Sequence, residues 1–201
     1  MTSIDFWFEF ASTYSYPAAM RIRDAARAKG VGVRFRPFLL GPIFKAQGWD
    51  TSPFNIYAAK GRYMWRDLER LCEAQGLALV RPDPFPQNSL LAARVAIAAS
   101  GEAWLEDFCL GVYKAEFGAG QNIADAAVIA AVLEAIGVES APVIAAAQST
   151  EVKSRLKSET EEAQRLGLFG APSFVTGDGE LFWGNDRLEA AVAWASHVAD
   201  V

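Results

Sequence analysis

Cysteine and histidine are almost absent from this chain of 201 residues, which holds two of the first and one of the second. Cys72 and Cys109 lie far apart and neither belongs to a C-x-x-C pair, so there is no dithiol for electron exchange and no disulfide framework. Each sits on an apolar stripe at helical spacing, with Leu68 and Leu71 beside Cys72 and with Leu105, Phe108 and Val112 around Cys109. Both read as buried helical cysteines. A zinc site has no Cys/His cluster to draw on, so no metal is expected. A Ser-His-Asp hydrolase would have to use His197 in the last helix, and no serine lies in a G-x-S-x-G setting. Basic runs are missing too: 19 Lys and Arg against 24 Asp and Glu leave a net charge of -5, which argues against nucleic acid as the main partner. The longest apolar stretches, such as Ala126–Ile136, are interrupted by charges and too short to cross a bilayer. The N-terminus shows neither the basic nor the apolar region of a signal peptide. A soluble, cytoplasmic protein with no membrane partner is the expectation.

What is there is a core. Hydrophobic residues make up 52% and charged ones 21%, enough to bury a single domain, or one domain with a large insertion. The chain is organised around Ile4–Pro17. Ile4-Asp5-Phe6-Trp7-Phe8-Glu9-Phe10 alternates apolar with acidic residues for part of its length. Small hydroxyl residues follow (Ser12, Thr13, Ser15), then an amphipathic segment with Ala18, Ala19, Ile22, Ala25 and Ala26 that Gly30 closes. The pattern predicts a strand, a tight turn carrying Ser12 and a helix. The first amides of such a helix are unpaired and its dipole is positive there, so the turn suits a negative charge. On sequence chemistry alone Ser12 is either a site residue or only an N-cap.

Val31–Leu40, with Arg34 and Arg36 between apolar residues, predicts a second strand that ends at Gly41-Pro42. Strand, helix and strand at this spacing make a right-handed parallel unit. From Pro42 to about Gly167 the pattern is almost wholly helical: Phe54–Gln75, Ser89–Ala99, Ala103–Phe117, Asp125–Ile136 and Glu151–Leu166. Pro82-Asp83-Pro84-Phe85-Pro86 interrupts it, since three prolines remove donors and fix φ. Strands then return at Pro172–Thr176 and Glu180–Trp183 around a Gly177-Asp178-Gly179 turn. Gly184-Asn185-Asp186-Arg187 opens the last helix, with Asn185 or Asp186 suited to its N-cap. An insertion between two halves of one sheet leaves a cleft, the usual place for a small molecule.

This order, with Ala171-Pro172 before the third strand, resembles the thioredoxin plan with a large helical domain inserted after the second strand, an α/β fold. In detail the sequence is similar to the 2-hydroxychromene-2-carboxylate isomerase family, kin of kappa-class glutathione transferases. The similarity runs along essentially the whole chain and is strongest in Asp5–Tyr16, Phe169–Val175 and Phe182–Leu188. It implies a thioredoxin-like domain from residues 1–41 and 168–201 with residues 42–167 as the helical insertion.

The resemblance implies glutathione as cofactor. Ser12-Thr13-Tyr14-Ser15 stands where disulfide enzymes carry C-x-x-C, with Ser12 beside the cofactor's sulfur and Thr13 in place of a usual proline. A free thiol titrates near ~8.5, and lowering that by roughly two units needs about 2.7 kcal/mol. One charge-assisted hydrogen bond together with a helix dipole reaches that figure. A cis Ala171-Pro172 bond would present the Ala171 backbone to the tripeptide, a trans bond opening the strand being the alternative. Trp183, Gly184, Asn185 and Asp186 match the γ-glutamyl site, with Arg187 either taking a carboxylate or pairing with Asp186. Lys45, Asn55, Ile56 and Phe85 match approximately the positions near the substrate, and Lys60, one helix later, would also suit a carboxylate. The implied reaction interconverts 2-hydroxychromene-2-carboxylate and trans-o-hydroxybenzylidenepyruvate, in aromatic hydrocarbon catabolism, by reversible thiolate addition in a homodimer. A transferase that consumes glutathione and a non-catalytic thioredoxin-like binding module are the alternatives.

Overall fold

Four phenylalanines in register hold the sheet together, one from each strand. Phe35 of β2 (Gly32–Pro37) pairs with Phe6 of β1 (Ser3–Phe8), Phe6 with Phe174 of β3 (Ser173–Thr176), and Phe174 with Phe182 of β4 (Leu181–Trp183). Cross-strand aromatic pairs of this kind stabilise a sheet beyond the area they bury. The structure, a computed structural model, describes residues 2–198. Among these the strands run in the order β2-β1-β3-β4, with β1 parallel to β2 and antiparallel to β3. This is the thioredoxin arrangement expected from the sequence.

The period of two in β1 decides what covers each face. Ile4, Phe6 and Phe8 point to one side, into a core shared with α1 (Ser15–Arg27), α5 (Leu90–Ala98), α6 (Leu105–Tyr113) and α10 (Leu188–Val198). Trp7 points to the other side, against Phe38, Ala163, Leu168 and Val175. A strand buried on both faces reads as a nearly continuous apolar run, as β1 does. Burying each such side chain contributes about 1.5–3 kcal/mol. Helix α9 (Thr150–Arg165) lies against β2, where Thr160 Oγ1 accepts the Leu39 amide at 3.2 Å and Glu159 pairs with Arg36.

The sequence-based boundaries shift at several places. The second strand stops at Pro37, and Gly41-Pro42 falls in the first turn of α2 (Leu40–Ala46) instead of ending a strand. Proline costs nothing there because the first amides of a helix have no partner. The Phe54–Gln75 pattern divides into α3 (Pro53–Ile56) and α4 (Ala58–Gln75) at Tyr57, which is extended. α3 folds back so closely that a side chain at Gly61 would strike the Phe54 carbonyl. The Ala103–Phe117 pattern is α6 followed by a π turn, Lys114–Gly118. α7 (Ala126–Ala135) falls where expected, whereas α8 (Ser140–Ala147) was not anticipated: it buries little and has scant amphipathic signal. α10 begins at Leu188 after a 3₁₀ turn, Asn185–Arg187, and no side chain caps that turn. Cys72 and Cys109 are buried as expected, and burial pushes both thiols up, Cys72 to about 11. His197 is exposed. No helix among the described residues is long and apolar enough to cross a membrane.

Candidate active site

β1 ends at Phe8 and α1 begins at Ser15, so Glu9–Tyr14 forms the handover. The Ser12 amide donates to the Glu9 carbonyl at 3.0 Å and the Ser15 amide to the Ser12 carbonyl at 3.1 Å. Tyr14 occupies the N-cap position, but no side chain caps the helix. Two side chains tie this turn to α4. Thr13 Oγ1 donates to Met64 Sδ at 3.1 Å, and the Tyr14 hydroxyl donates to Asp67 Oδ2 at 3.0 Å. Burial, and then Asp67, push the Tyr14 hydroxyl above its usual range.

Ser12 reaches across to the second motif. Its hydroxyl donates to the Ala171 carbonyl at 2.9 Å, joining residues 159 positions apart. The Ala171-Pro172 bond is cis, as the resemblance implied. Beyond β3 and β4, the Gly184 amide donates to the Pro172 carbonyl at 2.9 Å and holds the next turn beside it. Gly184 has φ +113°, and a Cβ there would lie 2.7 Å from Asp186 Oδ1. Only glycine fits both constraints. At Gly170 any side chain would run into the Trp183 indole. Asn185, expected as an N-cap, instead accepts Arg21 Nη2 from α1 with both its backbone and side-chain oxygens. The same guanidinium bonds Glu189 on α10, so one arginine locks the two motifs together.

Between these motifs and α2–α4 lies a cavity of about 930 Å³. It falls at the top of the range of roughly 300–1,000 Å³ usual for small-molecule sites. Of the site residues expected from the sequence, Ser12, Phe85, Ala171, Trp183, Gly184, Asn185 and Asp186 line it, and so does Lys60. Pro172 is buried outside the lining. Arg187 is exposed and pairs with Asp186 at 3.5 Å. Lys45 is exposed on α2, and Asn55 and Ile56 are exposed on α3, with the Asn55 amide donating to Thr51 Oγ1 at 3.2 Å; none of the three reaches the cavity. Phe85 stacks edge-on against Trp65, their rings 4.8 Å apart. Neither cysteine lines the cavity.

Several lining residues escaped sequence reasoning, among them Trp49, Tyr63, Asp67, Gln87 and above all Glu9. Glu9 is only 8% exposed, with Ser89 donating its hydroxyl to Oε1. Burial raises its carboxyl from 4.5 to about 7, against the smaller opposing pull of Ser89 and of the Ala11 amide. Behind it, Glu116 of the π turn is fully buried, with no hydrogen-bond partner for either oxygen among the described residues. Burial first, and then the Glu9 charge, push it well above the carboxylate range. Gln87 accepts the Ile123 amide at 2.8 Å while its own Nε2, also buried, has no acceptor. A sequence signal for Glu9 existed: an acidic residue extending a strand that is apolar on both faces. Among the described residues the charged lining comprises Glu9, Asp50, Asp67 and Asp186 with Lys60 as the cation.

The site thus offers a helix N-terminus, a hydroxyl held by a carbonyl, a glycine cradle and an acid–base group around a volume with no thiol of its own. The chain matches the family model for the DSBA-like thioredoxin domain over residues 3–193. It is 29% identical to a 2-hydroxychromene-2-carboxylate isomerase of Sphingobium xenophagum, the match covering 93% of this chain and 94% of the relative. It is 25% identical to a glutathione S-transferase kappa 2 of Caenorhabditis elegans over 92% and 88% of the two chains. A solved structure of a 2-hydroxychromene-2-carboxylate isomerase matches with a TM-score of 0.88 at 26% identity, covering 98% of this chain and 96% of the other. The resemblance seen in the sequence motifs is therefore shown along the chain.

Proposed function

The chain belongs to the DSBA-like thioredoxin domain family, and we propose that it is a glutathione-dependent isomerase interconverting 2-hydroxychromene-2-carboxylate and trans-o-hydroxybenzylidenepyruvate. The observation that carries this reading is the position of the cavity. It opens where β1 hands over to α1, between Ser12 and the Ala171 and Trp183–Asp186 backbones, and none of its described lining residues carries sulfur. When bound, glutathione would supply a thiolate able to add reversibly to an electrophilic carbon of the unsaturated keto acid, so that a double bond can rotate.

The chain's own residues then have separable tasks. Ser12 holds its proton between the Ala171 carbonyl and the cavity; turning that proton toward a sulfur stabilises the anionic form, helped by the positive end of α1. The turn that Gly184 opens would present the Asn185 and Asp186 amides to a carboxylate, and Asp186 offers a charge to an ammonium. Lys60 takes the role of holding the substrate carboxylate, because it lines the cavity and Lys45 does not. In this reading residues 1–41 and 168–201 hold the tripeptide, and residues 42–167 shape the pocket for the aromatic keto acid. A homodimer and a cytoplasmic location, where reduced glutathione is abundant, belong to the same proposal.

Titrating glutathione into the wild type and Ser12→Ala while following thiolate absorbance tests it. A band in the wild type that the variant loses, with activity down roughly 100-fold or more, is expected. An unchanged band would make Ser12 structural and remove the mechanism. The similarity to a kappa-class transferase favours a second reading, in which an electrophile is conjugated for good. Glutathione recycled over many turnovers supports the isomerase, and glutathione consumed one for one supports the transferase.

A further inference from the structure

Burying a carboxylate without a cation is costly, and this protein does it twice, at Glu9 in the cavity wall and at Glu116 behind it. Glu9 and Glu116 are both buried. Around them stand Ser89 at the start of α5 and Tyr113 on α6, and across the cavity Lys60 and Asp67 on α4. Tyr113 donates its hydroxyl to the Glu9 carbonyl at 3.1 Å, not to the carboxylate, and Ser89 gives Glu9 its one side-chain hydrogen bond. Gln87 faces the same cavity with an unpartnered, buried Nε2. Glu116 sits in a π turn, an interruption frequently found at functional sites. A fold selected for stability alone has no use for this arrangement, since an apolar floor would cost less.

We propose that Glu9 accepts the thiol proton when glutathione docks and returns it when glutathione leaves, with the fully buried Glu116 behind it helping to keep Glu9 in a poorly solvated setting. This inference rests on the glutathione reading above. The S–H bond breaks, its electron pair stays on sulfur, and the proton moves to a Glu9 carboxyl oxygen, so no other reactant is needed. Two lines of geometry support it. Glu9 shares one tight turn with Ser12, whose amide donates to the Glu9 carbonyl, and both residues line the same cavity. The Ser12 hydroxyl is too weakly basic to take up the thiol proton, and it keeps its own proton to donate, to Ala171 at rest and to a thiolate when one is bound. A thiolate and an ionised Glu9 facing the same poorly solvated space also repel each other, so the two groups share a proton. The resting state of Glu9, titrating at about 7, fits that exchange near neutral pH.

Proton counting tests this without any turnover assay. Calorimetry of glutathione binding at pH 7.5, in buffers of different ionisation enthalpy, gives protons released per site, and absorbance gives the thiolate formed. In the wild type we expect release well below one proton per thiolate. In Glu9→Gln it should rise toward about one, or the thiolate should fail to form. S-methylglutathione, which has no thiol proton, should bind both proteins with no such difference, and that binding also shows that the variant is folded. Equal release per thiolate from wild type and variant would overturn the proton role while leaving the glutathione reading intact. Failure of the wild type to bind either compound would overturn the glutathione reading itself, and the proton role with it.

Discussion

Asp5 and Glu9 stand four residues apart on one strand and its extension, both acidic and both nearly excluded from water at 7% and 8% exposure. Their surroundings are opposite. Asp5 faces Arg34 and Arg36 across the β1–β2 pair, accepting from Arg34 Nε and from Arg36 Nη1 at 3.1 Å. Arg36 continues to Glu159 on α9 and stacks over Trp7, 4.3 Å from the ring centroid. Glu9 has a serine hydroxyl, a second buried carboxyl and a cavity. The first charge is compensated and fastens one end of the sheet. The second is uncompensated and lies where a thioredoxin-like fold places its chemistry. Burial makes a charge costly in either case, and only the partners decide whether the cost is offset or left available to shift a proton.

Removing the uncompensated charge should have the largest effect, and in the stabilising direction. A carboxyl raised from 4.5 to about 7 in the folded state binds its proton more tightly there than in the unfolded chain. Its contribution to stability is therefore most favourable below about 4.5, falls as pH rises through that window and levels off above about 7. Glu9→Gln should abolish this term and stabilise the protein by up to about 3 kcal/mol at pH 8 and by little at pH 4. Urea unfolding at the two pH values measures the difference; an equal effect at both would erase the contrast with Asp5.

Asp5→Asn should do the reverse and lose about 1–2 kcal/mol, because two guanidinium groups lose their shared acceptor, the loss being limited by the solvent that reaches Arg34. The same unfolding series at neutral pH checks it, and a gain in stability would show the network to be dispensable. At the Glu9 end, Gly170→Ala pushes the Trp183 indole off the cavity rim. Glutathione affinity should fall about tenfold, near 1.4 kcal/mol, with folding stability almost unchanged. Calorimetry paired with thermal melts separates the two quantities. The smallest effect belongs to Tyr14→Phe, which removes the tether to Asp67 and should cost about 0.5–1.5 kcal/mol in the same melts.

The two ends of β1 also differ in how far they could be read in advance. Arg34 and Arg36 alternate with apolar residues in β2, and a parallel β1–β2 pair brings them to Asp5 in register. At the other end the strand–turn–helix pattern made Ser12 a candidate, and the family resemblance carried by their motifs pointed to Ala171 and Trp183–Asp186. Lys45, Asn55 and Ile56 belong to segments whose helices begin, end and turn differently from the periodic pattern. Gly41-Pro42 starts a helix there, and Tyr57 breaks one. A one-turn change in either place moves a side chain from cavity to solvent, and Lys60 lines the pocket in their stead.

By itself the amino-acid sequence determined the strand–turn–helix at the N-terminus, the buried thiols, the helical spacing of the middle and the sheet elements at the end. Each is a local pattern of period 2 or 3.6 broken by glycine and proline. Only the tertiary structure decided that the Ser12 hydroxyl meets the Ala171 carbonyl, that Arg21 fixes Asn185, and that Glu116 is buried close enough to Glu9, in the cavity wall, to feel its charge. Those contacts join residues about 100 positions apart or more, and burial, which sets their chemistry, is a property of everything packed around them.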